Sequence, residues 1–558
     1  MELILIFTAI ILPFVLLLIF AYLVIIPPPK IKSSKYIDLK RKESDVNFFV
    51  CNSNWLKKND SGLWEMYVDG DAFKRGVVIG ILTKDLIYYQ EKAFIDEIKK
   101  FIPSIFYLFF LKFFIAWTNR HIYKHIKNEF LLEIYGISLS ASKQFSYVGP
   151  KYIRFLNYHA AHDIGHALQD NNFIAGCTSF AAWGNHSEDS SLIIGRNFDF
   201  YFGDDFAKEK IVLFCNPDNG YKFVIITWAG MIGAISGMNE KGLTITLNAA
   251  KSEINFKAKT PVSILAREIL QFSKNINEAY AIAEKTKIFV TTSILVGSNE
   301  DNKSIIIEKS PSLIGINTPD EDFLICTNHF SGETFKNDKH NINNIKESSS
   351  KYRQEKVLKL IKNYKKINVT NASLILRNRD GYDNQNIGNG NEKAINQLVA
   401  HHSIIFKPSL LRIWVSKGPF SLGEYICYDL KTIFDNYKNI DKNIDISSKE
   451  YNIPSDSFLL SEDYNIFLRF LELKKEYKFA IEKKLRLDYK DEYFINTNKE
   501  FYFVYSLLGD YYKKHKEYSK ANYYYKIALT KVIPKLPEEN RIKKNMNLCR
   551  TSITKYAG

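Results

Sequence analysis

Cysteine is sparse in this chain. There are six in 558 residues (Cys51, Cys177, Cys215, Cys326, Cys427 and Cys549), with no C-x-x-C pair among them. That scatter argues against a disulfide framework and against a structural zinc site. A buried, inert thiol is the ordinary reading for all of them but Cys177. No RNP, zinc-finger or helix-turn-helix signature is present. The net charge of +15, carried mainly by lysine, is therefore not read as a nucleic-acid footprint, and no nucleic-acid partner is expected. The N-terminus lacks the basic start and Ala-x-Ala site of a cleaved signal peptide. What remains is a chain 46% hydrophobic and 25% charged, able to build a large core and long enough for two to four domains.

From Leu3 to Ile26 the sequence is apolar and free of charge, enough to cross a hydrocarbon core of about 30 Å. Pro27-Pro28-Pro29 ends the run, and Lys30, Lys32, Lys35, Lys40, Arg41 and Lys42 follow. The expectation is a single-pass transmembrane anchor over residues 1–29. The basic flank favours a cytoplasmic body; an uncleaved signal-anchor exporting the body is the rival. Residues 30–176 form the next segment, helical from about residue 62 onward. Gly70-Asp71-Ala72-Phe73-Lys74-Arg75-Gly76, with Gly80, reads as a turn into a helix. Ile105 to Trp117 is aromatic and apolar but too short to span a bilayer, so it is expected to be buried or to lie on a membrane. His159, His162 and His166 share one helical face. Metal binding is one reading of that face; a set of histidines bonded to protein partners is the preferred one, and neither metal nor cofactor is expected.

After Gly176-Cys177-Thr178-Ser179-Phe180 the pattern turns to strands. Leu192-Ile193-Ile194, Lys210 to Phe214, Phe223 to Trp228, Leu243 to Leu247 and Ser304 to Ile307 are rich in β-branched and aromatic residues. Cys177 lies at the junction of the helical and strand-rich segments. It is read as a nucleophile that becomes a new N-terminus when the Gly176-Cys177 bond breaks. Glycine before it leaves the attacked carbonyl unobstructed. The freed α-amine, with a pKa of about 7.7–8.0, would serve as its general base.

Several further motifs follow in order. Gly195-Arg196-Asn197-Phe198-Asp199-Phe200 supplies an Arg-x-x-Asp, and Gly237-Met238-Asn239-Glu240-Lys241-Gly242-Leu243 leads to Asn248. Cys326-Thr327-Asn328-His329-Phe330 and Ser350-Lys351-Tyr352-Arg353 come later. With Glu133-Ile134-Tyr135-Gly136-Ile137 upstream, the chain resembles the N-terminal-nucleophile (Ntn) hydrolases. Within them it is most similar to the autoproteolytic acyl-CoA:6-aminopenicillanate acyltransferase family (peptidase C45 type), relatives of choloylglycine hydrolase. The resemblance covers about residues 62 to 430. It implies an α+β fold, a four-layer αββα sandwich over 177–430 behind a prosegment. It also implies catalytic roles for Cys177, Arg196, Asp199, Asn248, Asn328 and Arg353, with Asp199 facing the new amine, Asn248 donating to an oxyanion and Asn328 orienting amine or substrate.

Residues 431–558 return to helix. Leu508, Gly509, Tyr512, Ala521, Tyr525 and Ala528 fall on tetratricopeptide consensus positions, but only one repeat is clear, and three are normally needed for a solenoid. A structural cap and a surface that docks a protein partner are equally open. Removal of residues after about Asn498 is expected to leave self-cleavage intact. The activity expected is amide hydrolysis on a small acylated substrate. The alternatives are N-acyl transfer from acyl-CoA and an inactive membrane scaffold.

Overall fold

The structure is a computed structural model that describes residues 15, 23–102, 104–167, 174–201, 203–253, 257–441 and 443–557. Strands β1 (Lys42–Asp45), β2 (Phe48–Cys51), β3 (Asn54–Lys58) and β4 (Trp64–Gly70) open the described fold, so the helical reading from about residue 62 begins too early. Five helices follow: α1 (Ala72–Leu82), α2 (Lys84–Phe101), α3 (Ile105–Asn119), α4 (Asn128–Ser138) and α5 (Lys151–Ala167). Asp71 caps α1 by accepting the Lys74 N–H, as its turn sequence suggests.

The strand-rich part begins with β5 (Ile174–Ala175), β6 (Thr178–Ala182), β7 (Ile193–Phe198) and β8 (Phe200–Tyr201). Next come β9 (Ile211–Pro217), β10 (Phe223–Thr227), β11 (Ser236–Asn239) and β12 (Leu243–Ala249), then α6 (Val262–Phe272) and α7 (Ile276–Lys285). Strands β13 (Thr292–Ser298), β14 (Lys303–Lys309), β15 (Ile314–Asn317) and β16 (Phe323–Cys326) precede α8 (Lys339–Glu347), α9 (Ser350–Tyr364) and α10 (Val369–Arg377). The last strands are β17 (His402–Lys407), β18 (Arg412–Ser416) and β19 (Tyr425–Asp429).

Two sheets result. One has eleven strands in the order β1-β2-β3-β4-β9-β10-β11-β12-β13-β14-β15, and the other six in the order β16-β6-β7-β17-β18-β19. All neighbours are antiparallel except β4 and β9, which splice the first hairpins onto the large sheet in parallel. Period-two alternation sorts the side chains. Val212, Phe214, Val224 and Ile226 of the large sheet meet Ile194, Ile404, Phe406, Ile413 and Val415 of the small one in a shared core. Their neighbours Ile211, Leu213, Phe223 and Ile225 face away and pack with α1, α4, α5, α6 and α7. On the far side Ile193, Ile405 and Trp414 meet Val357, Ile361 and Ile375 of α9 and α10. Helix layer, sheet, sheet, helix layer is the αββα order implied by the resemblance.

No described helix is long and apolar enough to cross a membrane. That corrects the expectation of an N-terminal transmembrane helix, of the membrane as a partner and of a single-pass location. Two physical facts bear on it. Ile26, at the end of the apolar run, is buried in the outer core with Trp64 and Met66. The aromatic helix α3 has 15 residues, about 22 Å at 1.5 Å per residue. Residues 1–14 and 16–22, most of the run, lie outside the described residues. Phe106, Tyr107, Phe110 and Phe114 of α3 are exposed, so the helix is not buried as a whole.

The C-terminal part adds α11 (Leu430–Asn436), α12 (Glu462–Lys483), α13 (Asp491–Ile495), α14 (Tyr502–Lys514), α15 (Tyr518–Ala528) and α16 (Leu536–Ala557). Gly509 of α14 lets the Tyr525 ring of α15 approach so closely that a Cβ there would lie 2.5 Å from it. The tetratricopeptide identity of this pair remains an expectation of the sequence. Leu398 and Leu422 of the sandwich are buried in the same cluster as Phe467, Phe494, Phe501 and Tyr525, so the helices share a core with it.

Candidate active site

The Gly176-Cys177 bond lies inside an antiparallel pair. Ala175 pairs with Phe200 on one side and Thr178 with Asn197 on the other, so the register is kept across the junction. The Gly176 N–H donates to the Asp199 carbonyl at 2.9 Å. The bond is thereby held extended at the edge of β6, and Cys177 is 2% exposed.

Helix α9 supplies the cation that touches the bond directly. Arg353, Val357 and Ile361 recur every fourth residue, so one buried stripe carries all three inward. Arg353 Nη1 donates to the carbonyl oxygens of Gly176 (2.8 Å) and Cys177 (2.6 Å) and to Thr178 Oγ1 (2.8 Å). Its Nη2 donates to Asn328 Oδ1 at 2.7 Å. Asn328 is fixed in turn: its N–H donates to Ser350 Oγ, and its Nδ2 donates to the Ala249 carbonyl at 3.0 Å.

Arg196 reaches from β7 across to the large sheet. It donates to the carbonyls of Ile235 (3.1 Å) and Leu247 and to Ser236 Oγ, and its guanidinium lies 4.7 Å from the Phe198 ring centroid. Asn248 reaches back the other way. Its Nδ2 donates to the carbonyls of Cys326 (2.9 Å) and Thr327 (3.2 Å), and its Oδ1 accepts from Ser179 Oγ at 3.0 Å. In this uncut chain both Asn248 amide hydrogens therefore hold main chain.

The electrostatics are those of a buried, under-partnered site. Burial raises the Cys177 thiol; Arg196 pulls it back, Asp199 pushes it up and Arg353 again lowers it. Asp199 is fully buried, and neither carboxylate oxygen has a hydrogen-bond partner. Burial raises its pKa to about 7 despite Arg353 and Arg196. Buried carboxylates normally find partners, and these two oxygens are an exception.

Gln397 was not singled out by the sequence. It lies in an irregular loop before β17, is 1% exposed, and donates from Nε2 to the Gly176 carbonyl at 2.8 Å. No local motif surrounds it. His159 lies away from this chemistry. Its Nδ1 contacts the Phe155 carbonyl at 2.7 Å and its Nε2 accepts the Ile232 N–H. Burial lowers its pKa to about 4, so it is a neutral packing histidine with both nitrogens engaged. The side chains of His162 and His166 lie outside the described residues.

Residues 185–418 match the family model described as acyl-coenzyme A:6-aminopenicillanic acid acyl-transferase. Arg196, Asp199, Asn248, Asn328, Arg353 and Gln397 lie within the match; Gly176 and Cys177 precede it. The N-acylethanolamine-hydrolyzing acid amidase of Caenorhabditis elegans is 24% identical over 238 residues, 41% of this chain and 62% of that protein, so the match spans about three fifths of that relative. A solved structure of the Caenorhabditis elegans ortholog of that amidase superposes with a TM-score of 0.32 at 19% identity, covering 42% of this chain and 94% of the other. A variant of the conjugated bile acid hydrolase of Clostridium perfringens gives 0.32 at 13% identity, covering 48% and 98%. Over residues 185–418, then, the chain is similar to the acyl-coenzyme A:6-aminopenicillanic acid acyl-transferase family.

Proposed function

We propose that this protein is a self-cleaving N-terminal-cysteine amidohydrolase that acts on a small acylated substrate. One observation carries the reading. The Gly176-Cys177 bond has a buried cation on its carbonyl oxygen and a thiol on its other side, with the bare Asp199 carboxylate close by.

Maturation would begin when Cys177 Sγ bonds to the Gly176 carbonyl carbon. The oxygen gains negative charge where Arg353 already donates. The carbon–nitrogen bond then breaks, leaving a Gly176 thioester on Sγ, and the thiol proton ends on the Cys177 nitrogen. Water hydrolyses the thioester to a Gly176 carboxylate and a free thiol. The new α-amine protonates to an ammonium, and Asp199 is the acceptor available to it. Once deprotonated, the amine takes the thiol proton as Cys177 attacks a substrate amide, then returns one to the leaving amine. Arg196 braces the two sheets around the nucleophile. Asn328, held by Arg353, borders the substrate side.

The second reading is N-acyl transfer from acyl-CoA, supported by the description of the family model. Both readings share the acyl-Cys177 thioester and differ in whether water or an amine accepts the acyl group. Incubation of the cut protein with fatty-acyl amides, and with acyl-CoA plus an amine, separates them. Hydrolysis without any amine acceptor supports the first reading; product formed only when amine is supplied supports the second.

A further inference from the structure

We propose that Gln397 is a catalytic residue of self-cleavage: with Arg353 it forms a two-donor oxyanion site on the Gly176 carbonyl, on a loop held by the C-terminal helices. The inference rests on the self-cleavage reading above.

The contact is direct. Gln397 Nε2 and Arg353 Nη1 each lie 2.8 Å from the Gly176 oxygen. This atom becomes the oxyanion when Sγ adds to its carbon, and the carbonyl reforms when the C–N bond breaks. No atom of Gln397 is transferred. Two preset donors on such an oxygen do more for the charged intermediate than for the neutral amide. The amide group also explains the glycine. A Cβ on residue 176 would lie 2.1 Å from Nε2 and 2.3 Å from Oε1, so the Gln397 amide occupies the space that any other side chain would need.

The donor is held from several sides. Asn197 Nδ2 donates to the Ile395 carbonyl at 3.2 Å, and Asn396 Nδ2 to the Phe420 carbonyl at 3.1 Å. Leu398 adopts φ 54, a left-handed conformation that is unusual for leucine, and buries its side chain among the C-terminal aromatics. Farther along the loop, Asn498 bonds both the N–H and the carbonyl of Asn389, Asn391 donates to the Val532 carbonyl, and Lys535 pairs with Glu392 at 2.6 Å. Strain and dense bracing next to one buried amide are expected of a site whose geometry matters.

The test follows loss of uncut full-length chain over time for the wild type, Gln397→Ala and Gln397→Glu, by gel and intact mass, from pH 5 to pH 9. Near-ultraviolet circular dichroism in a Cys177→Ala background checks folding. Loss of one oxyanion donor slows such reactions by about 10²–10³, and with Arg353 retained the expected loss for Gln397→Ala is about 10². Gln397→Glu has the same shape but donates only when protonated. Its rate relative to the wild type should therefore rise as pH falls, which a merely structural role would not produce. Should the alanine variant fail to fold, the glutamate variant decides. A wild type that cuts while a folded variant cuts at the wild-type rate, or a glutamate variant with a flat relative profile, overturns the proposal. A wild type that never cuts overturns the self-cleavage reading instead.

Discussion

One guanidinium nitrogen of Arg353 donates to the carbonyl oxygens of both Gly176 and Cys177, so a single charged group spans the bond proposed to break. A lysine in its place would offer one flexible ammonium rather than a planar fork. Arg353→Lys is expected to slow self-cleavage by about 10² or more, on the scale of a lost oxyanion donor. Arg353→Ala in an uncut background should cost about 3 kcal/mol of stability, because the Cys177 carbonyl, Thr178 Oγ1 and Asn328 Oδ1 lose the Arg353 donor and the Gly176 carbonyl keeps only Gln397. Urea unfolding measures the second effect. Wild-type stability and cleavage in both variants would remove Arg353 from the site.

Asp199 predicts an unusual pH dependence. Its carboxyl is pushed up to about 7 in the fold, against an ordinary value of 3.8. Between those values the folded chain holds a proton that the unfolded chain has lost. Stability therefore falls as pH rises from about 4 to about 7, and stays reduced above that. In an uncut Cys177→Ala background, Asp199→Asn should stabilise the fold at pH 8 by up to about 4 kcal/mol, at 1.36 kcal/mol per pKa unit. The gain should shrink toward zero near pH 4. Thermal melts of the pair across this range provide the check, and a loss of stability at pH 8 would mean the carboxylate has a partner.

How the two pieces stay together can also be tested. Glu133 of α4 is fully buried between Arg75 of α1 and Arg267 of α6, at 2.8 and 3.3 Å, and so ties the segment before residue 176 to the sandwich. Removing one partner of a buried ion pair typically costs about 3–5 kcal/mol. Glu133→Gln should lower stability by that order, and after cleavage its fragments should separate at lower urea than those of the wild type. Size-exclusion chromatography across a urea series reads this directly.

Much of the fold was legible because β7, β9, β10, β12 and β14 carry short runs rich in β-branched and aromatic residues, bounded by Gly, Asn and Asp. The stripe of Arg353, Val357 and Ile361 repeats every fourth residue. β1 to β4 were less visible. Trp64 to Gly70 is interrupted by Glu65 and Asp69, so it offers no continuous apolar run. The apolar run from Leu3 looked like an anchor because composition alone cannot report that Ile26 turns into the core. Of the site residues, Arg196, Asp199 and Arg353 were marked by the family resemblance; Arg353 touches the Gly176 and Cys177 carbonyls, and Arg196 and Asp199 bear on the Cys177 thiol by their charge. Gln397 was not marked, since its position is set by contacts with Asn197, Phe420 and the distant helices rather than by its neighbours in the chain.

Those helices bear on an expectation drawn from sequence, that the region beyond about Asn498 is dispensable for self-cleavage. Asn498, Phe501, Val532 and Lys535 all touch the loop that carries Gln397. Asn498→Ala removes two hydrogen bonds to Asn389, worth about 0.5–1.5 kcal/mol each. Cleavage should slow by up to about tenfold, as 1.4 kcal/mol of misplaced donor would produce. Timed gels of the folded variant test this; an unchanged rate would restore the dispensable tail.

The most direct measurement is N-terminal sequencing and intact mass of the purified wild type beside Cys177→Ala. Cleavage before Cys177 divides the 64.7 kDa chain in proportion to its 176 and 382 residues, into pieces of about 20 and about 44 kDa. The larger piece should begin Cys-Thr-Ser-Phe, and Cys177→Ala should remain one uncut chain. A wild type that stays whole, or one cut elsewhere with amide turnover unchanged by Cys177→Ala, would contradict the mechanism.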